Sequence, residues 1–126
     1  MIVIDTSVLV DALTGLRRSE AAVRGALAEG EQILIPALVM YLWLRGPRLP
    51  EELAAQESLF PSESVIPFDK EQARVSAGLY RVLSRARTRE VDLAVAACAL
   101  VHHARLWTLN RADFQDVPGI QLYGLG

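Results

Sequence analysis

Five short apolar runs, separated by stretches of helical period, constrain this chain more than any other feature. Ile2-Val3-Ile4 is a continuous β-branched run, as a strand buried on both faces should be. Ile33-Leu34-Ile35, closed by Pro36, repeats the pattern. Val65-Ile66-Pro67-Phe68 is a third candidate, with Pro67 marking an edge or a strand end. Leu106-Trp107-Thr108-Leu109 is a fourth and Ile120-Gln121-Leu122-Tyr123 a short fifth. The helices between them begin with one capped by Thr6 or Ser7, running through Leu13 and ended by Gly15. Ser19 opens a second that stops at Gly30, and a third runs from Ala37 to Leu44 before Gly46-Pro47. Pro50-Glu51-Glu52 begins a fourth, Asp69 a long fifth, and Thr88 caps a sixth that reaches about His103. This alternation predicts an α/β domain built on a parallel sheet of four to five strands.

Composition narrows the class. The 126 residues fit one domain, which typically takes ~100–200. With 52% hydrophobic and 22% charged residues, intrinsic disorder is excluded. The lone Cys98 excludes a disulfide framework and a multi-cysteine zinc site. The longest apolar run, Leu93 to Val101, is far short of the ~20 residues that span a bilayer. Met1-Ile2-Val3-Ile4-Asp5 lacks a basic stretch followed by an apolar one, so the expected location is the cytoplasm, away from membranes. A net charge of −2 implies no general affinity for nucleic acid, but twelve of the 13 basic residues are Arg. Arg81, Arg85, Arg87 and Arg89 form either a solvated helix face or a phosphate-binding run.

Ligands of an open parallel sheet bind at the carboxyl ends of its strands. Asp5 follows the first run directly, and Asn110 and Asp113 follow the fourth. The sixth helix joins the fourth strand through Ala104-Arg105, a link so short that the two must run antiparallel. Its N-terminus, with Glu90 and Asp92, therefore lies at the same edge. Asp5, Asp92 and Asp113 converge, and three like charges close together raise one another's free energy. A hard divalent cation such as Mg²⁺ or Mn²⁺ relieves that conflict through carboxylate oxygens. The chemistry this arrangement points to is metal-dependent phosphodiester hydrolysis.

Three segments then resemble a known family. Ile2-Val3-Ile4-Asp5-Thr6-Ser7, Asp92 at the head of an alanine-rich helix, and Leu106-Trp107-Thr108-Leu109-Asn110-Arg111-Ala112-Asp113-Phe114 look like a PIN domain. The likeness spans the whole chain and is greatest to VapC toxins of toxin–antitoxin pairs. It implies a single PIN domain over 1–126 with a three-layer α/β/α sandwich. It also implies a Mg²⁺- or Mn²⁺-dependent endoribonuclease, usually a homodimer, whose VapB-like antitoxin covers the active site. By position, Asp5, Asp92 and Asp113 match the family's acidic metal ligands. Thr6 or Ser7 matches the hydroxyl beside the first Asp, and Thr108 and Asn110 match polar residues that orient the site.

One position departs from the pattern. The family usually carries a fourth acid, a Glu in the helix after the second strand, and Leu42 stands there. No acid lies between Glu31 and Glu51, so the expectation is a toxin fold with impaired cleavage. The alternative is a catalytically silent PIN domain that binds an antitoxin or RNA. Asp11 and Glu90 each face either the site or solvent. Tyr41, Trp43 and Phe60 are expected to supply an apolar patch for dimerisation. His102 and His103 are adjacent on a helix and so do not chelate one ion together.

Overall fold

A computed structural model describes residues 1–124, so the last two positions of the expected 1–126 domain lie outside the described residues. The element order is β1 (Ile2–Ile4), α1 (Thr6–Leu13), α2 (Glu20–Ala28), β2 (Ile33–Leu34), α3 (Ala37–Arg45), α4 (Pro50–Leu59), α5 (Lys70–Val82), α6 (Glu90–Val101) and β3 (Arg105–Trp107). Short 3-10 turns cover Ser62–Ser64, Ala86–Thr88 and Arg111–Asp113. The sheet is parallel in the order β2-β1-β3, so the most apolar strand is central. All three β1 residues are fully buried, as a strand covered on both faces requires. The α/β domain on a parallel sheet expected from the alternation, and the sandwich implied by the resemblance, are the fold observed.

Three of the five expected runs form regular strands among the described residues, and the other two also join the sheet. The runs around Ile66 and Leu122 each reach the sheet through one parallel bridge, Pro36↔Ile66 and Leu106↔Leu122. At the first of these edges, Pro36 and Pro67 lack the N–H groups that would extend a ladder. The fourth run pairs only through Trp107 because the next amides turn to side chains. Leu109 N–H donates to Ser7 Oγ at 3.0 Å, and Asn110 N–H to Thr108 Oγ1 at 3.0 Å.

Two expected caps change identity, and a third keeps its place without a side-chain capping bond. Asp5 caps α1 itself, its Oδ1 accepting the Thr6 N–H at 2.8 Å. Ser19 precedes α2, but its hydroxyl donates instead to Asp11 Oδ2 at 2.6 Å. Thr88 donates its hydroxyl to the Arg85 carbonyl, and Arg89 is the residue before α6.

Helix α6 is the central packing element. Leu93 through Ala99 are all buried, and the run of alanines lets α6 lie close against β1, β3 and α5. It turns into β3 through His103 at φ 52°, with Ala104 N–H bonded to the Ala99 carbonyl, giving the antiparallel return. Trp43 and Phe60 are buried with Trp107 and Phe114, so two of the three aromatics expected on a dimer patch belong to the core. Tyr41 remains exposed, together with Leu44, Leu49 and Leu53. Among the described residues, no helix is long and apolar enough to cross a membrane.

Candidate active site at the carboxyl edge of the sheet

The end of β1 delivers Asp5 into the middle of the sheet's carboxyl edge, where the residue is only 7% exposed. A carboxylate removed from water needs compensating bonds. Asp5 has three: Oδ1 accepts the Thr6 N–H, and Oδ2 accepts Ser7 Oγ at 3.0 Å and Thr108 Oγ1 at 2.7 Å. The two hydroxyls lie 3.4 Å apart and accept in turn from the backbone after β3. This network ties β1 and α1 to a segment a hundred residues away. Of the Thr6/Ser7 pair, the serine supplies the hydroxyl. Thr6 contributes its backbone N–H, and its own Oγ1 is buried without a partner.

Asp92 sits in the first turn of α6, half-buried. Burial raises its pKa above the ordinary carboxylate range, and the charges of Asp5 and Asp113 raise it further, against the pull of Arg89. Asp92 therefore feels both of the other acids, as their positions along the chain predict. A pocket of about 560 Å³ opens between α1, α3, α6 and the turn after β3. Asp5, Asp11, Leu42, Asp92 and Asn110 line it, with Arg18 at its rim. Asp113 stands outside this lining, exposed at the end of its 3-10 turn. Leu42 thus faces the acids from the helix where the fourth acid was expected, and Asp11 joins the same wall.

The remaining candidates separate. Glu90 is exposed and shares a smaller cleft, about 230 Å³, with Arg87 and Asp92. Arg89 is not free to meet phosphate. Its fork makes a bidentate pair with Asp116 at 2.6 and 2.9 Å and donates to the carbonyls of Ser84 and Asp113. Arg81, Arg85 and Arg87 stay exposed. Burial pushes the Cys98 thiol up to about 12, with a further push from Asp69, so it is no nucleophile at neutral pH. Arg18 and the Arg89–Asp116 pair were missed by sequence reasoning. The pair spans 27 positions, and no local pattern marks it.

The donor set decides which metals suit the site. Among the described residues, no three acidic, cysteine or histidine side chains stand close enough to cage an ion unaided. Mg²⁺ and Mn²⁺ do not need such a cage: one or two carboxylates suffice and water completes the shell. Hard oxygens from mutually repelling carboxylates fit that class, whereas soft-ligand metals find no thiolate or imidazole here.

Comparison with known proteins agrees with this architecture. A family model described as PIN domain matches residues 2–120. The chain is 32% identical over 123 residues to Ribonuclease VapC19 of Mycobacterium tuberculosis, covering 96% of this chain and 98% of that protein. Among solved structures, VapBC2 from Rickettsia felis, bound to a DNA fragment from its promoter, is similar with a TM-score of 0.74 at 19% identity, covering 100% of both chains. A toxin–antitoxin complex from Klebsiella pneumoniae follows at 0.68 and 23%, covering 95% of each. FitAcB from Neisseria gonorrhoeae has a TM-score of 0.62 at 20% identity, over 90% of this chain and 91% of that one. At such identities these structures show a shared fold.

Proposed function

The chain belongs to the PIN-domain family, and from that premise we propose that it is the ribonuclease toxin of a toxin–antitoxin pair, one domain over 1–126. The observation that carries this reading is Asp5. It is a buried carboxylate at the end of the central strand, held by three hydrogen bonds, and its charge is felt by Asp92. Among the described residues, no salt bridge neutralises Asp5, Asp92 or Asp113. Uncompensated acids reduce stability, so their retention fits a role in binding a cation.

Asp5, Asp92 and Asp113 are the residues that would hold Mg²⁺ or Mn²⁺, through one or two direct carboxylates and the ion's own water shell, and the ion would supply an activated water and counter-charge for the phosphodiester. The chain's own groups prepare the rest. Ser7 and Thr108 fix Asp5 Oδ2, and the Thr6 N–H fixes Oδ1, so the carboxylate is oriented before any ligand arrives. Asn110 offers an exposed amide in the pocket lining, and Arg18 at the rim is suited to an RNA phosphate. A VapB-like antitoxin is the expected partner, its basic side chain suited to the acid pocket. The exposed Tyr41, Leu44, Leu49 and Leu53 are the surface we assign to a homodimer.

Leu42 favours a second reading of the same site. It lines the acid pocket yet supplies neither charge nor hydrogen bond, so the chain as it stands is a weakened enzyme or a binding module. Losing one electrostatic partner in an active site typically costs ~10²–10³ in rate. Leu42→Glu is expected to raise Mn²⁺-dependent cleavage of RNA by about that factor. Equal rates for the two chains would refute the assignment of Leu42 as the missing acid. Absence of cleavage from both would leave the binding module as the function.

A further inference from the structure

Asp92 and Asp113 come from different elements and repel each other, so something must hold them together. Asp92 lies on α6, a rigid buried helix. Asp113 ends a one-turn 3-10 segment on the exposed stretch after β3. Arg89 immediately precedes α6, three residues before Asp92. The Arg89 side chain is only 13% exposed, and all four of its bonds tie separate parts of the chain. Nη1 donates to the Ser84 carbonyl at 3.1 Å and to Asp116 at 2.9 Å. Nη2 donates to the Asp113 carbonyl at 2.9 Å and to Asp116 at 2.6 Å.

We propose that Arg89 is a positioning residue that clamps the Asp113 turn against the head of α6, using Asp116 as its anchor. The inference rests on the reading of Asp92 and Asp113 as cation ligands, and assigns to Arg89 the geometry between them. Its fork points at Asp116 and at carbonyls, and makes no bond to either ligand carboxylate. The two acids are held near each other while their oxygens stay available. Guanidinium shape matters here more than charge, because a lysine ammonium cannot donate in this planar, four-way pattern. The same clamp braces the bend between α5 and α6, where Arg85 adopts a left-handed φ of 54°.

The test uses the full chain and Mn²⁺ alone as probe, below the melting temperature of every variant. Calorimetry would compare the parent with Arg89→Lys, Arg89→Gln, Asp116→Asn and Arg105→Gln. The last breaks the ion pair at the opposite end of the sheet and controls for general destabilisation. Residues that orient metal ligands typically contribute 10–100-fold in affinity. About tenfold weaker binding is therefore expected for Arg89→Lys, Arg89→Gln and Asp116→Asn, with Arg105→Gln unchanged. Arg89→Lys binding like the parent would overturn the clamp, since charge alone would then suffice.

Amide exchange read in parallel keeps the clamp separate from the metal reading. The amides of Asp113, Phe114 and Val117 bond within the clamped turn and should exchange about tenfold faster in Arg89→Lys. Should the parent bind no Mn²⁺, the metal reading falls. Faster exchange would still support the clamp, and unchanged exchange would overturn it.

Discussion

The two ends of the sheet handle charge in opposite ways. At the amino end, Glu31 and Arg105 meet in a pair with both Glu31 oxygens 2.8 Å from one guanidinium nitrogen, and Arg105 also lies 5.0 Å over the Tyr123 ring. Those two charges partner each other. At the carboxyl end, Asp5 has hydroxyls and an amide for company, and Asp92 feels the charges of Asp5 and Asp113. The nearby guanidinium of Arg89 is directed to Asp116, whose carboxyl it holds below the ordinary range through their hydrogen bond. One end pairs its charges, whereas the other leaves carboxylates without ion pairs where, on the proposed reading, a cation would bind, the trade expected at functional sites.

The difference can be broken most severely at Thr108. Its buried hydroxyl donates to Asp5 and accepts from Asn110, so Thr108→Val keeps the volume and removes both bonds. A loss of about 1–3 kcal/mol is expected, because the buried Asp5 carboxyl group is left with one donor fewer. Denaturant midpoints would check it, and an unchanged midpoint would mean that Ser7 alone suffices.

Asp92→Asn should move stability the other way. The folded-state pKa of Asp92 is raised, chiefly by burial, so the folded protein binds the proton more tightly than the unfolded chain. Its contribution to stability is then lost as pH rises through the ordinary aspartate range and the raised value. At neutral pH, without divalent metal, the Asn variant should unfold at higher denaturant than the parent. The gain should shrink once the solution is acidic enough to protonate Asp92. A metal-free variant less stable than the parent at neutral pH would show that the repulsion is compensated by a route other than those described.

The smallest effect belongs to the amino end. The Arg105 and Glu31 side chains are 39% and 27% exposed, and surface pairs of this kind contribute about 0.2–1 kcal/mol. Arg105→Gln should lower stability within that range and lose its effect in high salt. A loss matching that of Thr108→Val would erase the contrast between the two ends.

Much of this was legible before any coordinates. The β-branched run before Asp5 predicts a central buried strand, and the short link after His103 predicts that Asp92 returns to the same edge. Leu42 was identified through family resemblance and does line the acid pocket. All five apolar runs reach the sheet, though prolines and hydroxyl-bound amides cut the edge ladders short. Trp43 and Phe60 stayed open between core and dimer interface, since a large aromatic fits both equally well.

By itself, then, the sequence determined what depends on neighbours in the chain: the alternation of strand and helix, and the edge at which Asp5 and Asp92 lie. Hydrophobic period and connection length are local properties, and they survive without knowledge of packing. Tertiary structure alone decided that the hydroxyl of Ser7 and not that of Thr6 meets Asp5, that Thr108 closes the network across 103 positions, and that Arg89 binds Asp116 across 27. A hydrogen bond needs its atoms within about 3 Å and in line. Whether two distant side chains meet that condition depends on how the helices rotate and slide as the core packs, and no local pattern encodes it.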